Sequence, residues 1–254
     1  MERRVVFKFG SGILTCQDRV ELDTDQLDQL VGAMAKLRLA GWQCVLVSSG
    51  AVAAGMPCFG FSERPTDVTI LQACAAIGQT RLMQAYESRF RSFDLHVGQL
   101  LLTHGDLRGP NRSQNVRNTI EQLLAFQNTI PVINENDSVA VDELRYGDND
   151  LLSADVSVLI EAKQLVLLTT VDGLFPPNSD QIVTEVTDMS DVFTFATSEK
   201  GSTSVGGMAS KLRAVERATQ AGIETYIANG RRPDQLGQLI QGQGHGTRFI
   251  PQLA

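Results

Sequence analysis

No apolar run in the 254 residues reaches the roughly 18 that a membrane-spanning helix needs, so a membrane-embedded role is not expected. Cysteine is scarce. Cys16, Cys44, Cys58 and Cys74 show no CxxC and no Cys/His spacing, which argues against a disulfide framework or a thiolate metal site and fits reduced thiols. Positive charge is in deficit, with 22 Lys+Arg against 29 Asp+Glu and a net charge of −7. That is the wrong sign for gripping a nucleic-acid backbone. His96, His104 and His245 lack ligand spacing and, like Trp42 and the thiols, read as structural. Met1-Glu2-Arg3-Arg4 runs straight into an apolar strand pattern instead of an export signal, so a cytoplasmic location is expected.

What is present is a globular composition, 43% hydrophobic, long enough for one large domain or two lobes on a continuous sheet. Val5-Val6-Phe7-Lys8-Phe9 reads as a buried strand ending at Gly10-Ser11-Gly12. Leu27, Leu30, Val31, Met34 and Leu37 share one helical face, with Thr24 as N-cap and Gly41 as stop. Cys44–Val47 is a second strand, ending at Ser48-Ser49-Gly50-Ala51. The alternation continues: helix Val68–Arg91, strand Val97–Leu102, helix Val116–Phe126, strand Ile130–Ile133, helix Leu151–Glu161 and strand Leu165–Leu168. Residues 176–203 look like a surface insertion, and helix 209–221, strand Glu224–Ile227 and helix Asp234–Ile240 follow. Strands alternating with helices imply a parallel sheet, with any lobe boundary near residue 160.

In such sheets, ligands bind beyond the carboxyl ends of the strands, and those ends carry the polar and glycine-rich residues. Lys8 sits in an apolar strand just before Gly10 and Ser11, whose backbone N–H groups suit an anion. A solvent-reaching lysine on an edge strand is the plainer alternative. Neither a Walker A sequence nor GxGxxG is present. Ser49 and Gly50 open a run of small residues that permits close approach to a ligand, or only tight helix packing. Gly206-Gly207-Met208-Ala209-Ser210-Lys211 puts glycines ahead of a helix and a lysine in its first turn, suiting phosphate or a solvated surface lysine equally. Asn134-Glu135-Asn136-Asp137 and Gly147-Asp148-Asn149-Asp150 are Asx turns or, together, a pocket for a cation-bearing substrate beside a phosphate.

The set KFGSG near residue 8, SSGAVAAG at 48–55, HVGQLLLT at 96–103, PVINEND at 131–137, GDND at 147–150, LLTTVDGL at 167–174 and GGMASK at 206–211 resembles the glutamate 5-kinase family of the amino-acid kinase superfamily. The resemblance covers nearly the whole chain. It implies a three-layer αβα sandwich with a mostly parallel central sheet, residues 1–160 holding glutamate and residues 161–254 holding ATP with Mg²⁺. It implies phosphorylation of the L-glutamate γ-carboxylate, the first step of proline biosynthesis, with proline as feedback inhibitor and a homo-oligomeric assembly, dimer or tetramer.

By the same resemblance, Lys8 and Lys211 contact phosphate and Asp150 orients them. Ser49, Asp137 and Asn149 match glutamate-binding positions, in a pocket that takes in Gly50, Asn134 and Asp148. Thr169 and Thr170, with Asp172 two residues on, match a nucleotide-binding segment, and Val205, Gly206, Gly207, Met208 and Lys211 a loop over the phosphates. Three departures stand out. Thr169-Thr170 replaces a Thr-Asp pair of some members, Ser204-Val205-Gly206-Gly207 replaces the usual Gly-Thr-Gly-Gly, and the sequence stops soon after His245-Gly246-Thr247, so no PUA domain is expected. A sibling kinase with another acceptor, or a non-catalytic sensor on the same fold, are the alternative readings.

Overall fold

Arg4–Phe9 forms strand β1, and all of its residues are buried, as in a strand covered on both faces. The computed structural model describes residues 3–16, 19–140, 149–190, 192 and 207–251. The other strands are β2 (Gln43–Ser48), β3 (His96–Leu102), β4 (Thr129–Glu135), β5 (Gln164–Thr169), β6 (Glu185–Val186), β7 (Glu224–Asn229) and β8 (Thr247–Phe249). They form one sheet of order β3-β4-β2-β1-β5-β7-β8-β6. β1 pairs in parallel with β2 and β5, so Lys8 lies opposite Val47 on one side and Leu167 on the other. The parallel run ends at β7, to which β8 is antiparallel, with the short β6 alongside β8. Neither β6 nor β8 is anticipated by the sequence pattern, because two or three residues are too few to display a period.

The helices are α1 (Ser11–Leu14), α2 (Thr24–Leu39), α3 (Ala51–Gly55), α4 (Val68–Phe90), α5 (His104–Arg108), α6 (Pro110–Ala125), α7 (Asn149–Leu159), α8 (Met208–Gln220) and α9 (Leu236–Leu239). The N-cap of α2 is Asp23, not Thr24: its carboxylate accepts from the Gln26 N–H at 3.0 Å. Helix α6 starts at Pro110, six residues before the expected Val116; proline suits a first helical position, and the polar first turns hide the apolar period. The expected last helix is a short 3₁₀ turn, Pro233–Gln235, followed by α9.

Side-chain alternation along β1 sends Val5, Phe7 and Phe9 to one face, where they pack with Leu27 and Leu30 of α2, Ala51 of α3 and Leu71 of α4. Val6 faces the opposite core, with Ile120 of α6, Leu152 of α7 and Leu212 of α8. The result is the three-layer αβα sandwich. Its sheet order keeps β1–β4 together in one half and β5–β8 in the other.

Candidate active site

Period-two alternation puts Lys8 on the Val6 face, toward α7 and α8. Only 3% exposed, its Nζ lies 2.6 Å from Asp150 Oδ1. Lys211, on the first turn of α8, reaches the other oxygen, Nζ to Oδ2, at 3.0 Å. Asp150 is fully buried. Burial pushes its carboxyl upward, but the charges and hydrogen bonds of Lys8 and Lys211 outweigh that and hold it below the usual carboxylate range. One carboxylate thus holds two lysine ammonium groups side by side, an arrangement suited to an anion. The edge-strand alternative for Lys8 is excluded, since β1 is the fourth of eight strands.

The described part of the acidic cluster is not a turn: Asn149 and Asp150 open α7. Asn149 Nδ2 lies within hydrogen-bonding distance of the Ser48 carbonyl (3.0 Å), Ser49 Oγ (3.1 Å) and Asn134 Oδ1 (2.8 Å). Asn134 is likewise not a turn residue but sits near the end of β4. Ser48 Oγ meets Tyr86 OH at 2.8 Å and the Ser49 carbonyl at 2.9 Å, bracing the chain as it leaves β2. Gly50 then takes φ +100°, a left-handed conformation that favours glycine. The following small residues serve packing against α4 as well. A Cβ on Gly55 would overlap the Cys74 carbonyl, and one on Gly78 the Ala51 carbonyl.

Asp137 lies just past β4, 8% exposed, in the wall of a cavity of about 230 Å³ between α4, β3 and the β4 end. Burial, then the negative charge of Glu135, push its carboxyl up to about 7 against the pull of Arg64. Its Oδ1 is buried without a hydrogen-bond partner among the described residues.

On the β5 side, the Gly10 N–H is taken by the Leu168 carbonyl at 3.3 Å, so it does not serve as an anion donor as expected. A Cβ at Gly10 would sit 3.6 Å from Lys8 Nζ, an ordinary contact, and 3.3 Å from the Leu168 carbonyl oxygen. The N–H groups of Ser11 and Gly12, at the start of α1, have no intrahelical acceptor. Arg231 ties this segment down, pairing with Asp23 at 2.6 Å and donating to the Gly12 and Thr15 carbonyls. Thr169 ends β5 and Thr170 follows it, exposed, beside Gly12. Asp172 accepts from Asn229 Nδ2 at 2.8 Å and lies 3.4 Å from Arg232, bound to the end of β7 and the segment after it. Gly207 precedes Met208 at φ −63°, ψ 178°, which any residue adopts. Asp148, Val205 and Gly206 lie outside the described residues.

Sequence reasoning passed over Gln79 and Tyr86. Both are on the buried stripe of α4 with Leu71, Ala75 and Leu82. A lone polar residue on an apolar stripe is the signal that marks Gln79.

This fold, with two lysines on one buried aspartate beyond the central strands, defines a member of the amino acid kinase family, whose pattern matches residues 3–229. Within it the chain belongs with the glutamate 5-kinases. It is 44% identical to glutamate 5-kinase of Hydrogenovibrio crunogenus, over 99% of this chain and 68% of that protein. It is 45% identical to that of Thioalkalivibrio sulfidiphilus, over 98% of this chain and 68% of that protein. The fold is shared with carbamate kinase from Giardia lamblia bound to AMP-PNP (TM-score 0.67, 17% identity, 98% of each chain). N-acetylglutamate synthase from Neisseria gonorrhoeae, complexed with coenzyme A and L-arginine, is similar too (TM-score 0.67, 16% identity, 98% of this chain and 61% of that one).

Proposed function

We infer that this chain transfers the γ-phosphoryl group of ATP to the γ-carboxylate of L-glutamate, the reaction that opens proline biosynthesis. The observation that carries the reading is the buried Lys8–Asp150–Lys211 cluster, joined through adjacent Asn149 to Ser49 and Asn134, in a chain 44% identical to glutamate 5-kinases.

The chemistry asks little else. A glutamate γ-carboxylate, with a reference pKa of about 4.3, is ionised at neutral pH and attacks phosphorus without a general base. Phosphoryl transfer then depends on in-line positioning and on stabilising charge on the transferring group. Lys8 and Lys211 supply that charge, and Asp150 fixes where both ammonium groups sit. Ser49, Gly50, Asn134, Asp137, Asp148 and Asn149 form the acceptor side, in the half built from residues 1–160. Thr169, Thr170, Asp172 and residues 205–211 form the nucleotide side, in the half from 161. Both Asp150 oxygens face lysines, so a Mg²⁺ ion would be held chiefly by the nucleotide's own phosphates and would supply charge neutralisation there.

Proline carries a cationic nitrogen and an α-carboxylate like those of glutamate, so it competes for the Asp137 end of the acceptor side as a feedback inhibitor. The open edge of β3, where Leu101 is 38% exposed, is a surface for self-association into a dimer or tetramer. We place the enzyme in the cytoplasm. Coupled ADP release with L-glutamate, N-acetylglutamate and L-aspartate tests the reading. Turnover with glutamate alone is expected. Turnover with another acceptor identifies a sibling kinase, and binding of both substrates without turnover a sensor.

A further inference from the structure

We propose that Gln79 recognises the α-carboxylate of the acceptor amino acid, while Asp137, in the wall of the same cavity, takes its ammonium group. This rests on the acceptor reading above and assigns the atoms that read the acceptor's head group.

The orientation of the Gln79 amide is forced by groups whose polarity is not in question. The Glu135 backbone N–H can only donate, and it meets the Asn134 side chain at 2.9 Å, so that atom is Oδ1. The Ser48 carbonyl can only accept, and it meets the Asn149 side chain at 3.0 Å. The Asn149 atom is therefore Nδ2, and its 2.8 Å contact with Asn134 again requires an oxygen there. The other Asn134 atom is then Nδ2, donating at 2.8 Å to Gln79, which must present Oε1. Gln79 Nε2 is left as the outward donor.

That donor is buried without an acceptor among the described residues, on a side chain only 9% exposed that lines the cavity of about 230 Å³ with Thr80, Gln99 and Asp137. Asp137 Oδ1 is a buried acceptor without a donor in the same wall. Leaving both unmade is costly, and the pair calls for a ligand that carries an acceptor and a cation a few bonds apart. The cation belongs at the Asp137 end, because the buried carboxylate of Glu135 adds negative charge there. The acceptor oxygen then falls to Gln79. An α-amino acid head group has this arrangement.

Two variants separate recognition from support. Gln79→Glu keeps an oxygen for Asn134 but removes the donor; Gln79→Met removes both. For the full-length chain, the KM for L-glutamate should rise about tenfold or more in each variant, the scale of a lost hydrogen bond to a charged group. The KM for ATP and the inhibition constant of 4-aminobutyrate, which lacks the α-carboxylate, should move less than about twofold by the same reasoning. Glutarate, which lacks the ammonium group, should be the ligand that Asp137→Asn leaves unaffected. If glutamate and 4-aminobutyrate weaken by the same factor in Gln79→Glu, or glutamate does not weaken at all, the assignment of Gln79 is overturned. If the unmutated protein neither binds nor phosphorylates glutamate, the acceptor reading itself falls. Thermal melting reports whether each variant is folded, and either one suffices if the other is not.

Discussion

Gly55 of α3 and Gly78 of α4 meet backbone to backbone: a Cβ on Gly78 would lie 2.5 Å from the Gly55 nitrogen, and one on Gly55 would lie 3.0 Å from the Gly78 nitrogen. No rotamer change relieves such an overlap, because the obstacle is main chain. Gly78→Ala should therefore force the helices apart and lower stability by about 3 kcal/mol. It should also impair glutamate use, since Gln79 is the next residue and Gly50 immediately precedes α3. Urea unfolding reads the first effect; an unchanged midpoint would refute it.

Lys8→Ala and Lys211→Ala should each lower kcat by on the order of 10²-fold or more, as expected for loss of a charge-stabilising donor. Asp150→Asn should lower it comparably although both lysines are retained in the sequence, because their ammonium groups lose the buried charge that positions them. Steady-state kcat for the three variants, with circular dichroism to confirm folding, decides this. Unchanged turnover in both lysine variants would sink the phosphate assignment.

Asp137 and Asp150 should leave opposite marks on pH dependence. Asp150 is held below its ordinary 3.8, so its stabilising contribution is present at neutral pH and disappears as pH falls through that lower folded value. Asp137 is raised from 3.8 to about 7, so between those values the folded chain retains a proton that the unfolded chain has released. Stability then falls as pH rises across that window. Asp137→Asn should flatten this slope in melting experiments on the ligand-free protein. Ionised Asp137 suits an ammonium ion, so the KM for glutamate should fall as pH rises through about 7 and should lose that dependence in the variant. Asp137→Ala should raise the KM for glutamate far more than that for ATP; a change confined to ATP would misplace the acceptor side.

Gly207→Ala should be tolerated. A glycine ahead of a phosphate-facing helix suggests a cost from restricted backbone angles and crowding, but φ is −63° and, among the described residues, no atom lies within 4 Å of an added Cβ. The ATP KM should stay within about threefold, because alanine adopts the same φ and ψ without strain. A tenfold rise would return the glycine to a direct role at the phosphates.

How much of this was legible depended on range. Lys8 stood out because a charge inside an apolar strand needs a partner, yet nothing local named Asp150, some 140 residues away. The strand ends were legible because glycine and polar residues interrupt apolar runs. Asn149 and Asp150 left turn and pocket both open, because their acceptors and donors, Ser48, Asn134, Lys8 and Lys211, all come from other elements. Gln79 was invisible for the same reason, its only clue being its place on an apolar stripe. The reversed strands β6 and β8 were too short to show a pattern.

Neighbouring residues at the start of α7 have different partners, Asn149 meeting Ser49 and Asn134, Asp150 meeting Lys8 and Lys211. One peptide bond thus spans the acceptor wall and the lysine pair, and a shift of this helix end cannot move one without the other. The two substrates should therefore bind with thermodynamic coupling: whatever factor glutamate contributes to ATP affinity, ATP must return to glutamate.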